Sequence, residues 1–352
     1  MNIKLNVEDR TKLQTLLKQK SYNIEIASLF NNLCLYNDEY LTSYLEENKD
    51  KLDNTFLFQT VLNLIDIDDI KMVRPYLEHS FHLEDISKYI NNPYVQTIKP
   101  FEDKIQDVKL TKLKYEAYTF FPLDEIKIED NYREISSLGL FTSEYPYLAL
   151  IDKEGIWMCI TPNEINTMQP YVDKATGHVI TFGLGLGYFA FMASLKKDVK
   201  KVTIIEYDQK VIEMFNKYLL PQFPYKEKIE IIKSDALKYV KNADMNQYDF
   251  IYYDLWHNPN DGLPLYIELK KLEKKKAYYW LEESLIALIR RYMLTLIEEQ
   301  LKGLKEEAYT TINNEDDKIV SLLYFATKEK KITTFIEVNN LLTNESLLSL
   351  IK

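Results

Sequence analysis

Three glycines, Gly183, Gly185 and Gly187, occupy alternate positions directly after the apolar run 179–182. Such a run is typical of a parallel strand buried on both faces. Glycines beyond it let the backbone turn tightly and approach a ligand where a Cβ would collide. Because the chain has only eight glycines, the cluster predicts a ligand-binding turn. A structural turn without a ligand is the alternative.

A carboxylate closes the next strand. Residues 188–197 contain no glycine or proline and predict a helix, and the apolar run 202–205 then ends at Glu206. A carboxylate at the tip of the second strand accepts hydrogen bonds from both hydroxyls of a ribose. The stretch from His178 to Asp208 therefore predicts a nucleoside site made of strand, glycine turn, helix and strand, with Asp208 as the cap of the following helix.

Later apolar runs also end in acids. The runs 229–232, 250–253 and 277–281 are followed by Asp235, Asp254 and Glu282. Since ligands bind outside the carboxyl ends of the strands of an open α/β sheet, we expect these acids and Glu206 to face one site. A turn or cap role is the alternative for each.

The alternation of strands and helices from residue 179 to 303 predicts the fold class α/β, with a doubly wound, mostly parallel sheet. Residues 308–312 and 319–327 flank a turn-rich segment and predict an antiparallel hairpin at the end of the sheet. With this hairpin the expected sheet has about seven strands.

The spacing G-x-G-x-G, with Tyr188 where a dinucleotide fingerprint has its third glycine, resembles motif I of the class I S-adenosylmethionine-dependent methyltransferases. The resemblance covers roughly residues 145–327 and implies S-adenosyl-L-methionine as cofactor. It implies a cofactor site made of Gly183, Gly185, Gly187, Tyr188, Glu206, Asp235, Ala236 and Asp254. In this site Glu206 would bind the ribose, and Asp235 and the amide of Ala236 would bind the adenine. Tyr188 or Trp256 would face the sulfonium.

The loop after the fourth strand predicts the acceptor site. Asp254, Trp256 and His257 are its candidate catalytic residues: Asp254 would orient the acceptor, and the intrinsic pKa of His257 suits a general base. A packing or capping role is the alternative for His257. The loop lacks the D/N-P-P-Y/F of amino-methylating enzymes. It also lacks the Ser/Thr-rich D-P run of aminopropyltransferases, which argues against polyamine synthesis.

The remaining sequence predicts the surroundings of the site. Residues 1–105 contain no glycine and predict helices at 7–18, 23–35, 39–47, 57–64 and 70–78, arranged as an irregular bundle or as helical repeats. Residues 106–172 predict a β-hairpin with its turn at 152–155, similar to the region before the glycine motif of spermidine-synthase-like proteins, and so a cap over the site. Residues 173–330 form the expected catalytic domain, and 331–352 a helical tail.

The composition argues against several classes of binding partner and cofactor. The net charge of −10 argues against a nucleic-acid partner. Cys34 and Cys159 stand alone, so neither a zinc site nor a disulfide framework is predicted. With no signal peptide and no membrane-spanning run recognised, we expect a cytoplasmic protein with no metal, no membrane contact, and a homodimer as one allowed assembly.

Together these observations predict an enzyme that transfers the methyl group of S-adenosylmethionine to a small-molecule or protein acceptor. Two alternatives stay open. One is aminopropyl transfer, as in spermidine synthases. The other is a non-catalytic module that binds the cofactor or a protein.

Overall fold

The computed structural model of the chain describes residues 1–35, 39–65, 70–99 and 102–352. Its amino-terminal part is mainly helical. The elements are β1 (Asn2–Ile3), α1 (Val7–Leu35), α2 (Glu39–Glu47), α3 (Asn54–Leu64), α4 (Ile70–Leu77), β2 (Phe81–Leu83), α5 (Ile86–Ile90) and α6 (Pro93–Thr97).

The first helix is longer than predicted. The sequence predicted two helices with a break at residues 19–22, but α1 is continuous over 29 residues. Polar residues in the middle of this helix are buried and pair with another segment: Gln19 lies in the predicted break, and Asn23 directly follows it. The amide of Gln19 donates to the carbonyl of Asn131 at 2.7 Å, and that of Asn23 to the carbonyl of Tyr132 at 2.9 Å.

The next part is built of short strands followed by a helix. Its elements are β3 (Asp103–Ile105), β4 (Val108–Tyr115), β5 (Phe120–Pro122), β6 (Lys127–Ile128), β7 (Glu134–Ile135), β8 (Leu138–Leu140), β9 (Tyr145–Asp152), β10 (Gly155–Cys159) and α7 (Pro162–Lys174). Four of the strands form an antiparallel sheet in the order β10-β9-β4-β3. The predicted hairpin is β9–β10, and Gly155 in its turn has φ +131°. This turn needs glycine, because other residues rarely adopt that φ.

The main sheet lies in the following part of the chain. Its elements are β11 (Gly177–Phe182), α8 (Tyr188–Ser194), β12 (Val199–Glu206), α9 (Gln209–Met214), β13 (Ile229–Lys233), α10 (Ala236–Asn242), β14 (Phe250–Tyr253), α11 (Pro259–Leu272), β15 (Tyr278–Tyr279) and α12 (Glu282–Leu301). The strand order is β13-β12-β11-β14-β15, and every pair is parallel. The chain runs outward from β11 in both directions, which places the expected ligand crevice at the carboxyl end of β11.

The carboxyl-terminal part differs from the prediction. Its elements are α13 (Glu315–Thr327), β16 (Lys331–Ile332), α14 (Phe335–Leu342) and α15 (Asn344–Ile351). The predicted antiparallel hairpin is wrong because the polar segment before residue 319 starts a helix: Asn314 accepts from the amide of Asp317, and Glu315 and Asp316 lie in the first turn. The predicted seven-stranded sheet is therefore wrong as well, and within the described residues the main sheet has five strands.

The amino-terminal helices pack against both later parts. Leu13 and Leu16 of α1 belong to the same buried core as the main sheet, and β2 pairs in parallel with β8. A partly buried ion pair between Glu134 and Arg291 joins β7 to α12. The division into domains at residues 105, 172 and 330 stays a prediction. No helix in the described ranges is long and apolar enough to cross a membrane.

Candidate active site

A cavity of about 420 Å³ lies at the carboxyl ends of β11, β12 and β14, and residues of the hairpin strand β10 form one of its walls. The polar and aromatic side chains that line it are those of Trp157, Cys159, Glu164, Thr181, Tyr188, Phe189, Glu206, Tyr207, Ser234, Asp235, Asp254, Trp256, His257 and Trp280. Most residues predicted to form the site thus meet in one cavity, and the predicted hairpin lies beside them.

The three glycines of the turn have different surroundings. A Cβ on Gly183 would lie 1.8 Å from the carbonyl oxygen of Asp254, so glycine lets β11 and the loop after β14 approach each other. Gly185 lines the cavity, and a Cβ there would meet only the sulfur of Met158, at 3.5 Å. Gly187 does not line the cavity, contrary to the prediction.

The role of Gly187 is packing. A Cβ at this position would lie 2.3 Å from the ring of Phe215, and Gly187 caps α8 with φ +76°. Packing against Phe215 and the positive φ therefore explain why residue 187 is glycine. The sequence pattern alone could not distinguish this role from ligand contact.

Glu206 is the last residue of β12 and is buried. Its Oε2 accepts from the amide of Leu184 at 3.1 Å, and its Oε1 accepts from the amides of Tyr207 and Asp208 at 2.8 Å each. Burial raises the pKa of Glu206 and outweighs these hydrogen bonds, which oppose the shift. A carboxylate offers about four lone-pair sites, and three are taken, so about one remains for a ligand hydroxyl. Glu206 therefore shapes the glycine turn as well as facing the cavity.

Asp254 and Glu164 both line the cavity, and the charge of Asp254 affects the pKa of Glu164. Asp254 follows β14, and its amide donates to the carbonyl of Phe182 at 2.9 Å. Burial and the nearby charge of Glu206 raise the pKa of Asp254 to about 7. Glu164 lies in the first turn of α7, and burial, followed by the charge of Asp254, raises its pKa.

Glu164 is the main residue that sequence reasoning missed. An acid in the first turn of a helix is usually explained by the helix dipole, and residues 161–164 were interpreted only as a helix start. The signal that could have identified it is its position directly after the hairpin that was expected to cover the site.

The charge of the cavity is one-sided. Its wall carries the carboxylates of Glu164, Glu206, Asp235 and Asp254, and no lysine or arginine is among the described residues that line it. Of these four acids only Glu206 is buried, but carboxylates that share one cavity repel each other, and a bound cation would relieve the repulsion. The cavity therefore favours a positively charged ligand and disfavours a free carboxylate.

The residue predicted to bind the adenine is exposed, whereas those predicted to face the sulfonium are buried. Asp235 is exposed and caps α10 by accepting from the amide of Lys238 at 2.8 Å, with Ala236 beside it on the cavity wall. Tyr188 and Trp256 are buried and both line the cavity. The indole Nε1 of Trp256 donates to the carbonyl of Trp280 at 3.1 Å, so this ring is held in place by the loop after β15.

His257 lines the exposed side of the cavity. Its Nδ1 lies 3.0 Å from Oδ2 of Asp261, and Asp261 also closes the capping box of α11 with Asn258. A carboxylate beside Nδ1 favours the tautomer with its proton on that nitrogen, which leaves Nε2 as the basic atom. The sequence did not identify Asp261 as the partner of His257.

Glu282 was predicted to join the acids at the strand ends, and this prediction is wrong. Its Oε1 accepts from the hydroxyl of Tyr266 at 2.9 Å and from Nζ of Lys270 at 3.3 Å. Glu282 does not line the cavity, because α12 begins at this residue and its side chain pairs with α11. Asp208 caps α9 as predicted, accepting from the amide of Lys210 at 2.7 Å.

Comparison with known proteins gives a partial match. Residues 177–276 match the sequence model of the spermine/spermidine synthase domain. A polyamine aminopropyltransferase of Clostridium botulinum (strain Eklund 17B / Type B) is 31% identical over an alignment of 121 residues, and the match covers 31% of this chain and 42% of that protein. The chain therefore spans less than half the length of this curated relative.

Two solved structures are also similar in part. The spermidine synthase from Thermotoga maritima has 17% identity and a TM-score of 0.29, with 42% of this chain and 59% of that chain covered. A dimethyladenosine transferase from Plasmodium falciparum has 17% identity and a TM-score of 0.23, with 30% and 36% covered.

These matches correct the main functional prediction. Methyl transfer is wrong as the leading interpretation, because the matched domain is a spermine/spermidine synthase domain and the curated relative is a polyamine aminopropyltransferase. The segment that matches contains the glycine turn, Glu206, Asp235 and Asp254. Residues 177–276 are therefore similar to a spermine/spermidine synthase domain, and the rest of the chain lies outside this match.

Proposed function

We propose that this protein transfers an aminopropyl group from decarboxylated S-adenosylmethionine to an amine of a small cationic acceptor. The observation that carries the proposal is the cavity with Glu164, Glu206 and Asp254 on its wall and no described lysine or arginine. The donor is a sulfonium with a primary ammonium group, and an aliphatic amine acceptor is also a cation at neutral pH. Both ligands match the charge of the cavity.

The negative charge of the cavity also favours decarboxylated over intact S-adenosylmethionine. Intact S-adenosylmethionine carries a carboxylate, and binding it here would need a basic group or place it near Glu164 and Asp254. The decarboxylated form lacks that charge. The cavity therefore supports aminopropyl transfer over chemistry that uses the intact form.

The reaction is a displacement at carbon. The acceptor nitrogen attacks the aminopropyl carbon bonded to sulfur, a C–N bond forms, and the C–S bond breaks with its electron pair passing to sulfur. The products are neutral 5′-methylthioadenosine and an ammonium that loses one proton. Positioning of the two substrates supplies much of the rate, and a base is needed to keep the attacking amine neutral.

Each side chain has a place in this scheme. The turn at Gly183 and Gly185 would form the floor under the nucleoside, with Glu206 at a ribose hydroxyl and Asp235 and Ala236 at the adenine. Tyr188 and Trp256 would face the sulfonium, an attraction of about 0.5–2 kcal/mol. These assignments come from the sequence resemblance and from the positions of the residues on the cavity wall.

Proton removal involves two groups at different depths. Asp254 lies in the cavity with its pKa raised to about 7, so near neutral pH it can accept a proton from the acceptor amine. His257, with Asp261 at its Nδ1, lies on the exposed side and would pass the proton to solvent.

The direct test is product formation. The purified protein is incubated with decarboxylated S-adenosylmethionine and a series of linear diamines and triamines, and 5′-methylthioadenosine is measured by chromatography. We expect it to form only when donor and amine are both present. If the protein binds 5′-methylthioadenosine but forms none of it with any amine, the non-catalytic module is the better interpretation. Absence of both binding and turnover would contradict the proposal.

Discrimination between donor forms gives a quantitative prediction. We expect the intact form to bind at least about tenfold more weakly than the decarboxylated form, since one added negative charge near two carboxylates costs about 1.4 kcal/mol or more. Calorimetric titration of both forms measures the ratio. Glu164→Gln should reduce it, whereas Glu230→Gln, an exposed acid paired with Lys201, should not. Equal affinities in the unmodified protein would argue against the role of the acids.

A further inference from the structure

A segment before the antiparallel sheet contacts the outer side of the glycine turn. We define residues 84–98, which include α5 and α6, as the bracing segment. Tyr94 of this segment is buried, and its hydroxyl donates to the carbonyl of Leu186 at 2.6 Å. Leu186 lies between Gly185 and Gly187 and lines the cavity. The bond therefore restrains the backbone of the turn at its centre.

A second bond reaches the first residue of the following helix. The Nδ2 of Asn92 donates to the hydroxyl of Tyr188 at 2.9 Å. The Oδ1 of Asn92 accepts from the amide of Tyr94 at 2.9 Å and so caps α6. Because its oxygen is used as the cap, the amide nitrogen of Asn92 is directed to Tyr188, one of the aromatic residues of the cavity wall.

Aromatic packing supports both bonds. The ring of Tyr94 lies edge-on to the ring of Tyr188, with centroids 5.4 Å apart, and to that of Phe191 at 5.2 Å. Such pairs stabilise a fixed relative orientation. The two hydrogen bonds and the ring contacts therefore act on the same stretch, residues 186–191.

The bracing segment also contacts the helix that carries Glu164. The hydroxyl of Tyr89 donates to Glu84 at 2.9 Å and accepts from Nδ2 of Asn166 at 3.1 Å. Asn166 lies on α7, two residues after Glu164. The segment thus connects the glycine turn to the helix of the acidic wall, and neither Asn92 nor Tyr94 lines the cavity itself.

We propose that Asn92 and Tyr94 are positioning residues for the nucleoside site. They hold the Leu186 carbonyl and the Tyr188 ring in the conformation that binds the ligand, so the amino-terminal part of the chain contributes to affinity without touching the ligand. The identity of the ligand rests on the proposed function, whereas the ordering of residues 185–188 does not.

The affinity test uses Tyr94→Phe, which removes the hydroxyl and keeps the ring. We expect 5′-methylthioadenosine to bind about tenfold more weakly by calorimetric titration, the scale of one buried hydrogen bond. Tyr76→Phe is the matched control. Tyr76 is a buried tyrosine whose hydroxyl donates to Asn23 at 2.7 Å, and it does not line the cavity. The Tyr76→Phe variant should bind 5′-methylthioadenosine with the same affinity as the unmodified protein.

A double-mutant cycle separates positioning from general stability. Asn92→Ser keeps an oxygen that can cap α6 but is too short to reach Tyr188. When Tyr188 is present, Asn92→Ser should weaken binding of 5′-methylthioadenosine about fivefold. In the Tyr188→Phe background, which lacks the hydroxyl that Asn92 contacts, Asn92→Ser should have no effect on this affinity. Equal effects in both backgrounds would overturn the assignment of Asn92.

Hydrogen exchange of the unliganded protein gives a readout that needs no ligand. In Tyr94→Phe, the amides of residues 185–188 should exchange several-fold faster than in the unmodified protein and in Tyr76→Phe. Unchanged exchange and unchanged affinity would each overturn the positioning role. If the unmodified protein fails to bind 5′-methylthioadenosine, the proposed function fails, and the exchange rates alone decide whether the brace exists.

Discussion

Replacing Asp254 by Asn is expected to lower the rate of aminopropyl transfer by about two to four orders of magnitude, the range of a general base. Asparagine keeps the shape of the side chain and the backbone bond from residue 254 to Phe182, but it cannot accept the proton of the acceptor amine. Affinity for 5′-methylthioadenosine should change less than about threefold, because the proposed nucleoside contacts are made by the glycine turn after β11, by Glu206 at the end of β12 and by the loop after β13. Turnover is measured by chromatography and binding by calorimetry.

The control for Asp254→Asn is Asp244→Asn. Asp244 caps a short 3-10 turn by accepting from the amide of Asn246, and it does not line the cavity. Asparagine caps about as well as aspartate, so activity should stay unchanged. An unchanged rate in Asp254→Asn would remove Asp254 from proton transfer. A parallel loss of nucleoside affinity would show instead that the Asp254 carboxylate contributes to nucleoside binding.

The pH dependence of stability follows from the same carboxyl group. The folded pKa of Asp254 is about 7, above the value of about 3.9 in an unfolded chain. The folded state therefore binds more protons between these values. Its stabilising contribution is complete below about pH 4 and is lost as pH rises through about 7. Glu125, with a pKa raised by burial to about 7, changes stability in the same direction.

Denaturant unfolding from pH 5 to pH 8 tests this dependence. We expect the free energy of unfolding to fall over this range, and to fall less steeply in Asp254→Asn, because one of the raised carboxyl groups is gone. The rate of transfer should rise over the same range, since the deprotonated form is the base. Identical slopes in the two proteins would mean that Asp254 titrates near its ordinary value.

The sequence predicted which strand ends meet at the cavity because its signals are local. A strand, a glycine turn and an acid at the next strand end are contiguous in the chain, and parallel strands bring their carboxyl ends together. Glu206, Asp235 and Asp254 could therefore be placed at one cavity from residues 179–254. Gly187 shows the limit of this reasoning, because a glycine needed for packing against Phe215 has the same signal as one needed for a ligand.

Residues that reach the site from distant segments could not be predicted in the same way. Glu164 enters from α7, and Asn92 and Tyr94 support the turn from about 90 residues away. Their positions depend on how the antiparallel sheet and the bracing segment pack, which periodicity does not report. The choice of methyl over aminopropyl transfer was wrong for a related reason: it relied on the loop at 255–259, whereas the charge of the cavity depends also on Glu164.

Acids at element boundaries were the least reliable signals. Glu282 follows a strand and was assigned to the site, yet it pairs with Lys270 and Tyr266. Residues 315–317 were assigned to a hairpin turn, yet they begin α13. An acid after an apolar run suits a ligand site, a helix start or an ion pair equally well, and only the packing of the next helix distinguishes these roles.

Gly185→Val is expected to weaken binding of 5′-methylthioadenosine by about 100-fold or more. The branched side chain would project into the cavity, where only the sulfur of Met158 lies near the Cβ, and an overlap with ligand atoms that costs about 3 kcal/mol gives a loss of this size. Because no main-chain atom blocks the Cβ, the protein should still fold. Calorimetric titration measures the affinity, and circular dichroism during thermal unfolding reports the fold.

Backbone strain must be separated from steric exclusion in this variant. Gly185 has φ +52°, a conformation that costs a valine about 1–2 kcal/mol of folding free energy. Gly303 has φ +82° with no atom within 4 Å of its Cβ, and it does not line the cavity. Gly303→Val should thus show a similar loss of stability with unchanged affinity. If Gly185→Val binds the nucleoside within about threefold of the unmodified protein while Gly303→Val is equally destabilised, the ligand does not lie on the glycine turn, because any nucleoside resting there would meet the new methyl groups.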